Sequence, residues 1–193
     1  MAPMSSNNIT GYTPAQKQQL LDLARTAIQK RLQGESFTVP TWDYPASLRV
    51  PRASFVTLHV DAQLHGCIGT LEARRPLVED VAHNARAAAF EDPRFPALTA
   101  SEFERLHIHI SVLGTPEPMQ FESEEGLLRQ LRPHVDGLIL EAGPHRGTFL
   151  PSVWDELPAP HDFLCHLKRK AGLPADYWSR DLRVRRYTVE SIP

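Results

Sequence analysis

The sequence predicts an α+β protein in which a mainly antiparallel sheet is flanked by helices. Segments that alternate apolar and polar residues, the period of a strand, come in pairs joined by short turns, which is how antiparallel hairpins are encoded. Segments with apolar residues at helical spacing lie between these hairpins. No glycine-rich phosphate loop follows a predicted strand, so a doubly wound parallel sheet is disfavoured.

The first part of the chain predicts one long amphipathic helix and an irregular connection. Thr13-Pro14-Ala15-Gln16 has the pattern of a helix start, because a capping hydroxyl precedes a proline at the first helical position and a glutamine that can close a capping box. Apolar residues at helical spacing follow as far as Gly34, a natural terminator. Residues 35–53 carry three prolines and predict an irregular connection that Trp42 and Tyr44 pack down.

A β-hairpin is predicted next. Ser54 to Val60 alternates apolar and polar residues, residues 61–63 can turn the chain, and Leu64 to Gly69 returns it. The period of two places His65 and Cys67 on one side of the returning strand. A thiol is therefore expected at the end of a hairpin, in a Gly-Cys-Ile-Gly turn.

The remaining elements continue the mixture of helices and strands. First come a helix opened by Pro76 and ended by Asp92-Pro93, a strand over Leu106 to Leu113 and a short helix over Glu124 to Leu131. A hairpin follows, in which Val135 to Glu141 pairs with Thr148 to Leu150 across the loop 143–147. The chain ends with a helix over Asp162 to Ala171 and an edge strand over Leu182 to Val189.

Length and composition are those of one globular domain. The chain has 193 residues, of which 41% are hydrophobic and 23% charged, so neither disorder nor a fibrous class is indicated. We expect residues 1–12 to form a flexible leader and residues 13–193 to form a single compact domain.

Charge and cysteine usage indicate a cytoplasmic protein. The formal net charge is −2, so no global positive field attracts nucleic acid or anionic membranes, and any nucleic-acid contact has to be local. No stretch approaches the roughly 18 apolar residues of a membrane span, and the polar start lacks the regions of a signal peptide. Cys67 and Cys165 are far apart in the sequence and are expected to be free thiols.

Cys67 is the strongest candidate for chemistry. Gly66 and Gly69 flank it and would permit a tight turn and the close approach of a ligand, and His65 is its near neighbour. A thiol becomes nucleophilic where a cation or a helix N-terminus favours the thiolate, and both follow shortly in the sequence. The alternative is that Cys67 is a small buried hydrophobe.

The segment Glu91 to Pro96 is a second candidate group, with carboxylates, a guanidinium and an aromatic ring in a rigid loop. Arg94 could hold a carboxylate or phosphate through two parallel hydrogen bonds. The alternative is structural, with Asp92 at a helix end, Arg94 in an ordinary ion pair and Phe95 in the core.

Histidines on one strand and arginines near the C-terminus are weaker candidates. His107 and His109 share a strand face, so a metal site is an open alternative, but no paired-ligand motif supplies further ligands and we predict no metal. Residues 180–186 hold a concentration of arginines. It is either a local phosphate or RNA contact or the charge of a protected edge strand.

The segment Leu64-His65-Gly66-Cys67-Ile68-Gly69-Thr70 resembles the Leu-Arg-Gly-Cys-Ile-Gly signature of the AMMECR domain family, also called AmmeMemoRadiSam system protein A. Further similar blocks follow in the same order and extend the resemblance over Thr13 to Tyr187. They are Ala89 to Phe95, Ile110 to Leu113 with Pro116 to Pro118, Val135 to Leu140, Thr148 to Pro151 with Trp154, and Leu167 to Leu173.

The resemblance implies an α+β fold with a larger antiparallel-sheet lobe and a smaller helical lobe in one compact body. It implies no established reaction and no known cofactor. The system name implies an accessory or enzymatic role beside a Memo-like protein and a radical SAM protein. His65 stands where the family usually has arginine, so any anion-positioning effect there would depend on pH near neutrality.

Two functional hypotheses follow. In a cysteine-centred enzyme, Cys67 is the nucleophile or thiol donor, Arg94 holds an anion, and Glu72 or Asp92 orients them. The residues expected to contact a ligand are His65, Gly66, Gly69, Thr70, Phe95 and His109. In the alternative, the same surface belongs to a non-catalytic module that binds a protein or RNA partner, and no membrane partner is expected.

Overall fold

The structure is a computed structural model that describes residues 11–193. Most of the predicted leader, residues 1–10, lies outside the described residues. Contacts divide the chain into two compact units. The first unit takes the described residues up to Val112 together with Glu190–Pro193, and the second takes Leu113–Val189. Each unit contains helices and a four-stranded sheet, so the α+β prediction is confirmed.

The first unit follows the predicted order of elements closely. Its helices are α1 (Pro14–Leu32), α2 (Ala46–Arg49), α3 (Leu77–Phe90) and α4 (Ala100–Phe103), with a 3-10 helix at Thr41–Asp43. Its strands are β1 (Ser54–Val60), β2 (Gln63–Gly69), β3 (Leu106–Leu113) and β8 (Val189–Ile192), in the spatial order β2-β1-β3-β8. β2 is therefore an edge strand, and the last residue of β3 and the first of β8 belong to the second unit.

The long first helix begins as its sequence predicts. The Thr13 side chain accepts a hydrogen bond from the Gln16 backbone, and the Gln16 side chain bonds back to the Thr13 backbone, which completes the capping box. Gly34 follows the end of α1 with a φ of 73°, a left-handed conformation that glycine adopts at little cost. The predicted start and stop of this helix are both confirmed.

One face of the first sheet packs on α1 and α3. The strand residues that point to the helices are buried and alternate along each strand, as the period of two requires. They are Val56, Leu58, Ile110 and Val112. Small side chains on α3, among them Ala82, Ala85 and Ala89, let that helix approach the sheet closely.

The opposite face of this sheet carries polar residues in register. In the antiparallel pairing, Thr57 lies opposite Cys67 of β2 on one side and opposite His109 of β3 on the other. A register shift between Leu58 and His59 leaves His65 as the extra residue of a β-bulge. The bulge breaks the strict alternation that predicted His65 and Cys67 on one side of the strand.

The second unit has its own sheet and core. Its helices are α5 (Glu124–Leu128) and α6 (Pro160–Lys170), with a 3-10 helix at Pro151–Asp155, and its strands are β4 (Glu117–Pro118), β5 (Gly137–Ala142), β6 (His145–Phe149) and β7 (Arg183–Tyr187). The order is β4-β7-β5-β6. The rings of Trp154 and Phe163 stack at 3.8 Å in its core. Buried Lys168 donates to Glu124 at 2.7 Å.

Several predicted details of the second unit are wrong. The smaller lobe expected to be helical contains a four-stranded sheet. β7 is not an edge strand, because the two-residue strand β4 pairs with it at Arg185 and Arg186. The loop predicted over residues 143–147 is shorter, because β6 already begins at His145. The short helix predicted to reach Leu131 ends at Leu128.

The connection over residues 35–53 also differs from its prediction. Tyr44 packs against the first core, as expected, but the Trp42 side chain is 84% exposed and does not pack the connection down. The Arg49 guanidinium lies over the Trp42 ring at 4.9 Å. None of the helices in the described part of the chain combines the length and apolar character needed to cross a membrane.

Candidate functional site

Cys67 lies on the outer strand of the first sheet, and two side chains from another segment hold its backbone. Because β2 is an edge strand, every second residue on it has backbone groups without a partner strand. The Cys67 N–H donates to Asp92 Oδ2 at 2.9 Å, and the Cys67 carbonyl accepts from Arg94 Nη2 at 3.3 Å. The position of the cysteine is thus fixed at both its N–H and its carbonyl.

Asp92 and Arg94 form a closely coupled ion pair. Arg94 donates to Asp92 through Nε at 2.9 Å and through Nη2 at 2.7 Å, and its backbone N–H adds a bond at 3.1 Å. The Arg94 guanidinium, together with the Cys67 N–H, holds the pKa of Asp92 well below its ordinary value. The Asp92 carboxylate in turn raises the pKa of Arg94. The Asp92 side chain is 3% exposed and that of Arg94 57%.

Arg94 binds Asp92 with Nε and Nη2, the two groups that can bond a carboxylate in parallel. From the sequence, Arg94 could present these two groups to a carboxylate or phosphate of a substrate. In the structure, Nε and Nη2 are already bonded to the Asp92 carboxylate. Asp92 is brought to Cys67, as one of the two predicted orienting carboxylates. Arg94 therefore acts on the cysteine backbone, and its exposed surface is what a ligand would meet.

The Cys67 thiol is half-buried and faces a neighbouring hydroxyl. Thr57 Oγ1 lies 3.1 Å from Cys67 Sγ, and either atom can be the donor. On the other side of Thr57, His109 lies opposite it on β3. His109 Nε2 lies 2.6 Å from the Ser191 hydroxyl on β8. Four polar side chains thus cross the sheet, one on each strand.

His109 belongs to this row but not to a direct pair with the thiol. Burial, followed by the nearby His59, lowers the pKa of His109, which favours the neutral imidazole. Because neighbouring strands lie roughly 4.8 Å apart and Thr57 lies between them, His109 and Cys67 are about 10 Å apart. A group bound over Thr57 could contact both.

The two glycines around Cys67 serve packing, which corrects the predicted turn. Both lie within β2, in extended backbone. A Cβ at Gly66 would lie 2.0 Å from the backbone oxygen of Ala88 in α3, and a Cβ at Gly69 would lie 2.2 Å from the Phe55 ring. Glycine is needed at both positions because a helix and an aromatic ring approach the strand closely.

His65 and Phe95 form a separate contact beside the cysteine. Their rings stack with centroids 6.3 Å apart, and the Arg94 guanidinium lies 5.3 Å from the Phe95 ring centre. His65 is buried, and no described residue bonds its Nε2. Phe95 therefore links the ion pair to the histidine.

The described contacts of Glu72 and Thr70 lie away from the Cys67 thiol. Glu72 follows β2 and pairs with Arg74. Thr70 Oγ1 donates to Asp80 Oδ2 at 2.8 Å. The structure thus assigns Thr70 to a different cluster.

That second cluster is a buried polar network that the sequence reasoning missed. Asp80 Oδ2 accepts from the Ser54 hydroxyl at 2.7 Å, the Ser54 N–H at 2.9 Å and Asn84 Nδ2 at 2.9 Å, and all three residues are buried. The sequence does carry a signal for it, because Asp80 and Asn84 are polar residues four apart on an otherwise apolar helix face. The network joins α3 to the start of β1. Two buried oxygens of the network, Asp80 Oδ1 and Asn84 Oδ1, accept no hydrogen bond from a described residue, and Arg75 Nε lies 3.4 Å from Asp80 Oδ1.

Within residues 11–193, no three His, Cys, Asp or Glu side chains are grouped to hold a metal ion. His107 and His109, the pair considered for a metal, are therefore not joined by a third ligand of these types in the described structure. The site consists of a thiol, a hydroxyl, an imidazole and an ion pair.

The chain is thus a two-unit α+β protein in which an aspartate–arginine pair holds an edge-strand cysteine. The chain belongs to the AMMECR1 family, whose model matches residues 21–192. A protein of Methanothermobacter thermautotrophicus is 37% identical over 188 residues, covering 93% of this chain and 96% of its own. A protein of Thermofilum pendens is 39% identical over 187 residues, covering 89% of this chain and 86% of its own.

A solved structure supports the same assignment. The crystal structure of an uncharacterised protein from Pyrococcus horikoshii matches with a TM-score of 0.82 at 35% identity, covering 93% of this chain and 91% of that one. The family resemblance and the α+β fold are thus confirmed. The relatives establish the family and the fold.

Proposed function

We propose that this AMMECR1-family protein is a cysteine-centred group-transfer enzyme or carrier in which Cys67 is the nucleophile. The observation that carries the proposal is the position of the thiol. It is half-buried, not sealed in the core, and it lies 3.1 Å from the Thr57 hydroxyl on a backbone held at both its N–H and its carbonyl. Because its backbone is held, the thiol has a fixed position for attack on a bound group.

The chemistry is attack of sulfur on an electrophilic carbon of an acyl or alkyl donor. The thiol proton leaves to solvent water, a sulfur lone pair forms the S–C bond, and the leaving group takes the electron pair of the bond that breaks. Thr57 Oγ1 can donate a hydrogen bond to the sulfur before attack. The Arg94 guanidinium bonds the Cys67 carbonyl and its charge is balanced by Asp92, so the pair acts by positioning the cysteine.

Each neighbouring group has a distinct part in this proposal. Asp92 and Arg94 are positioning residues, because they bond the backbone of Cys67 and each other. His109, kept neutral by its lowered pKa, can accept a proton from a substrate bound over Thr57. Association with Memo-like and radical SAM proteins belongs to the proposal on the family resemblance alone.

The test is alkylation of Cys67 by iodoacetamide in the folded protein, with Cys165→Ser as background so that one thiol reports. We expect Cys67 to react faster at neutral pH than the same thiol in the urea-unfolded chain. Thr57→Val removes the hydroxyl with little change of shape and should change the rate measurably. The complementary variant, Cys67→Ser with Cys165 intact, gives the alkylation rate of a thiol outside the site.

Two results would contradict the enzyme proposal. One is a folded Cys67 that alkylates no faster than the unfolded chain. The other is a rate that Thr57→Val leaves unchanged. Either would make Cys67 a structural residue of the sheet.

A non-catalytic binding module is the second candidate, and one observation favours it. Among the described residues, Thr57 Oγ1 is the hydrogen-bond partner found for the thiol, and no histidine or carboxylate side chain bonds Cys67 Sγ. A complete nucleophile-and-base pair is thus not assembled before a ligand binds. If this candidate is correct, Cys67→Ser retains partner binding at unchanged affinity, whereas the enzyme proposal requires loss of turnover.

A further inference from the structure

The second unit contains a groove that the cysteine site does not use. It has a volume of about 1000 Å³ and lies between residues 118–122 and residues 178–185. One wall forms because β4 stops at Pro118. Met119 makes a last bond to the Val184 carbonyl at 2.9 Å, and the next residues are no longer paired with β7. The other wall is a turn in which the Leu182 N–H donates to the Ser179 carbonyl at 3.1 Å.

The groove carries unbalanced positive charge. Glu141, at its base, already accepts from Arg185 Nη2 at 3.1 Å and pairs with Arg146 at 3.3 Å. Arg180 and Arg183 also line the groove and are exposed. Arg183 lies opposite Glu141 in the pairing of β7 with β5, but neither Arg180 nor Arg183 belongs to an ion pair among residues 11–193. Glu122, also exposed, is the remaining acidic residue of the lining. Two guanidiniums are thus free to bind an anion.

Two aromatic rings lie beside these guanidiniums. Phe121 and Trp178 contact each other at a centroid distance of 5.7 Å and a tilt of 56°. Both pack their inner edges on the core of the second unit and are half-buried, and both line the groove. A fixed aromatic pair presents a platform for a planar ring at small entropic cost.

An unpaired donor in the wall points the same way. The Nε of Arg185 is buried and bonds no described residue, although Nη2 of the same guanidinium is bonded to Glu141. Buried donors without an acceptor are rare and costly in folded proteins. Because Arg185 also lines the groove, an anionic oxygen bound beside it supplies an acceptor that the described residues lack.

We propose that this groove binds a nucleotide, free or within a single strand, with the base against Trp178 and Phe121 and the phosphate on Arg180 and Arg183. Stacking on aromatic rings combined with arginine contacts to phosphate is the way proteins hold single-stranded nucleic acid. A volume near 1000 Å³ is at the upper end for a small-molecule site, so more than one nucleotide fits. With a net charge of −2 the chain has no global positive field, so such binding needs a local positive site.

The experiment is fluorescence anisotropy of the full chain with a labelled uridine oligonucleotide of about eight nucleotides, within the usual site size. Adenosine monophosphate as competitor distinguishes a free nucleotide from a strand as the source of the same chemistry. We expect saturable micromolar binding. The double variant Arg180→Gln/Arg183→Gln should weaken it by about tenfold. It should also lower the slope of log affinity against log salt by about 1.4, at roughly 0.7 for each phosphate that an arginine no longer neutralises.

The controls separate charge from stacking. Arg169→Gln removes an exposed arginine of the same unit outside the groove and should leave binding unchanged. Trp178→Leu should weaken binding by about tenfold with an unchanged salt slope. If circular dichroism shows that Trp178→Leu is unfolded, Phe121→Leu is used in its place.

Three outcomes would overturn the proposal. The first is that neither the oligonucleotide nor adenosine monophosphate binds saturably. The second is that the double arginine variant binds as well as Arg169→Gln. The third is that an abasic oligonucleotide of equal length or a polyglutamate peptide binds as tightly as the uridine strand, which would remove the stacking part.

Discussion

Asp92→Asn tests the ion pair that holds Cys67. Each carboxylate oxygen accepts one backbone N–H and one guanidinium N–H. Oδ2 takes those of Cys67 and Arg94 Nη2, and Oδ1 takes those of the Arg94 backbone and Nε. An asparagine keeps the shape but replaces one oxygen by an NH2 group. Whichever way the amide turns, one backbone donor and one guanidinium donor are left without their acceptor.

The size of the effect follows from which donors water can reach. The Arg94 side chain is 57% exposed, so the loss of its hydrogen bond costs at most about 1 kcal/mol. Both backbone donors are partly buried, and a backbone N–H that is buried without an acceptor costs about 1–3 kcal/mol. We therefore expect Asp92→Asn to lower the free energy of unfolding by about 2–3 kcal/mol and the melting temperature by about 5–10 °C.

The pH dependence gives a second, independent readout. The pKa of Asp92 is lower in the folded chain than its ordinary value of 3.8, so the unfolded chain takes up the proton first as pH falls. The stability that Asp92 contributes is complete above about pH 5 and is lost as pH falls through the depressed folded pKa. The difference between wild type and Asp92→Asn should be constant from pH 7 to 5 and should shrink below about pH 4.

Urea unfolding followed by circular dichroism at pH 7, 5, 4 and 3 measures this difference. Asp176→Asn, at an exposed aspartate outside any described ion pair, is the control and should change stability by less than about 0.5 kcal/mol. The reasoning is refuted if the two variants are equally stable at pH 7. It is refuted as well if the cost of Asp92→Asn is the same at pH 7 and pH 3.

Two further predictions concern packing and buried charge. Gly66→Ala places a Cβ 2.0 Å from the Ala88 oxygen, so α3 has to move, and urea unfolding should show a loss of about 1–3 kcal/mol; an unchanged midpoint would contradict it. Glu124→Gln leaves the buried Lys168 ammonium uncompensated and should cost about 3–5 kcal/mol, more than Lys168→Met, which leaves only a partly exposed Glu124; the reverse order in thermal melts would refute this.

The sequence predicted the fold well where local signals act alone. The capping box at Thr13 and the alternation over Ser54 to Val60 each specify an element without help from distant residues. The position of β7 could not be predicted in this way, because its neighbour β4 has two residues and no period of its own. Trp42 was misjudged for a related reason, since aromaticity predicts burial only on average.

The site was predicted in its parts and not in its assembly. Cys67, Asp92 and Arg94 were all candidates, but they meet only because α3 carries the chain back to the edge of β2, over a separation of 25 residues. The glycine signal was seen and misassigned. Glycine marks a turn or a close approach alike, and only the position of Ala88 decides between them.

The aspartate–arginine pair has a consequence for the behaviour of the protein in concentrated solution. An uncovered sheet edge is a template on which another chain can add a strand. At Cys67 the two backbone groups that such a strand would use are already bonded to Asp92 and Arg94. The pair thus blocks docking of a second molecule at the middle of β2, and its removal would open a route to dimers and fibres joined through that strand.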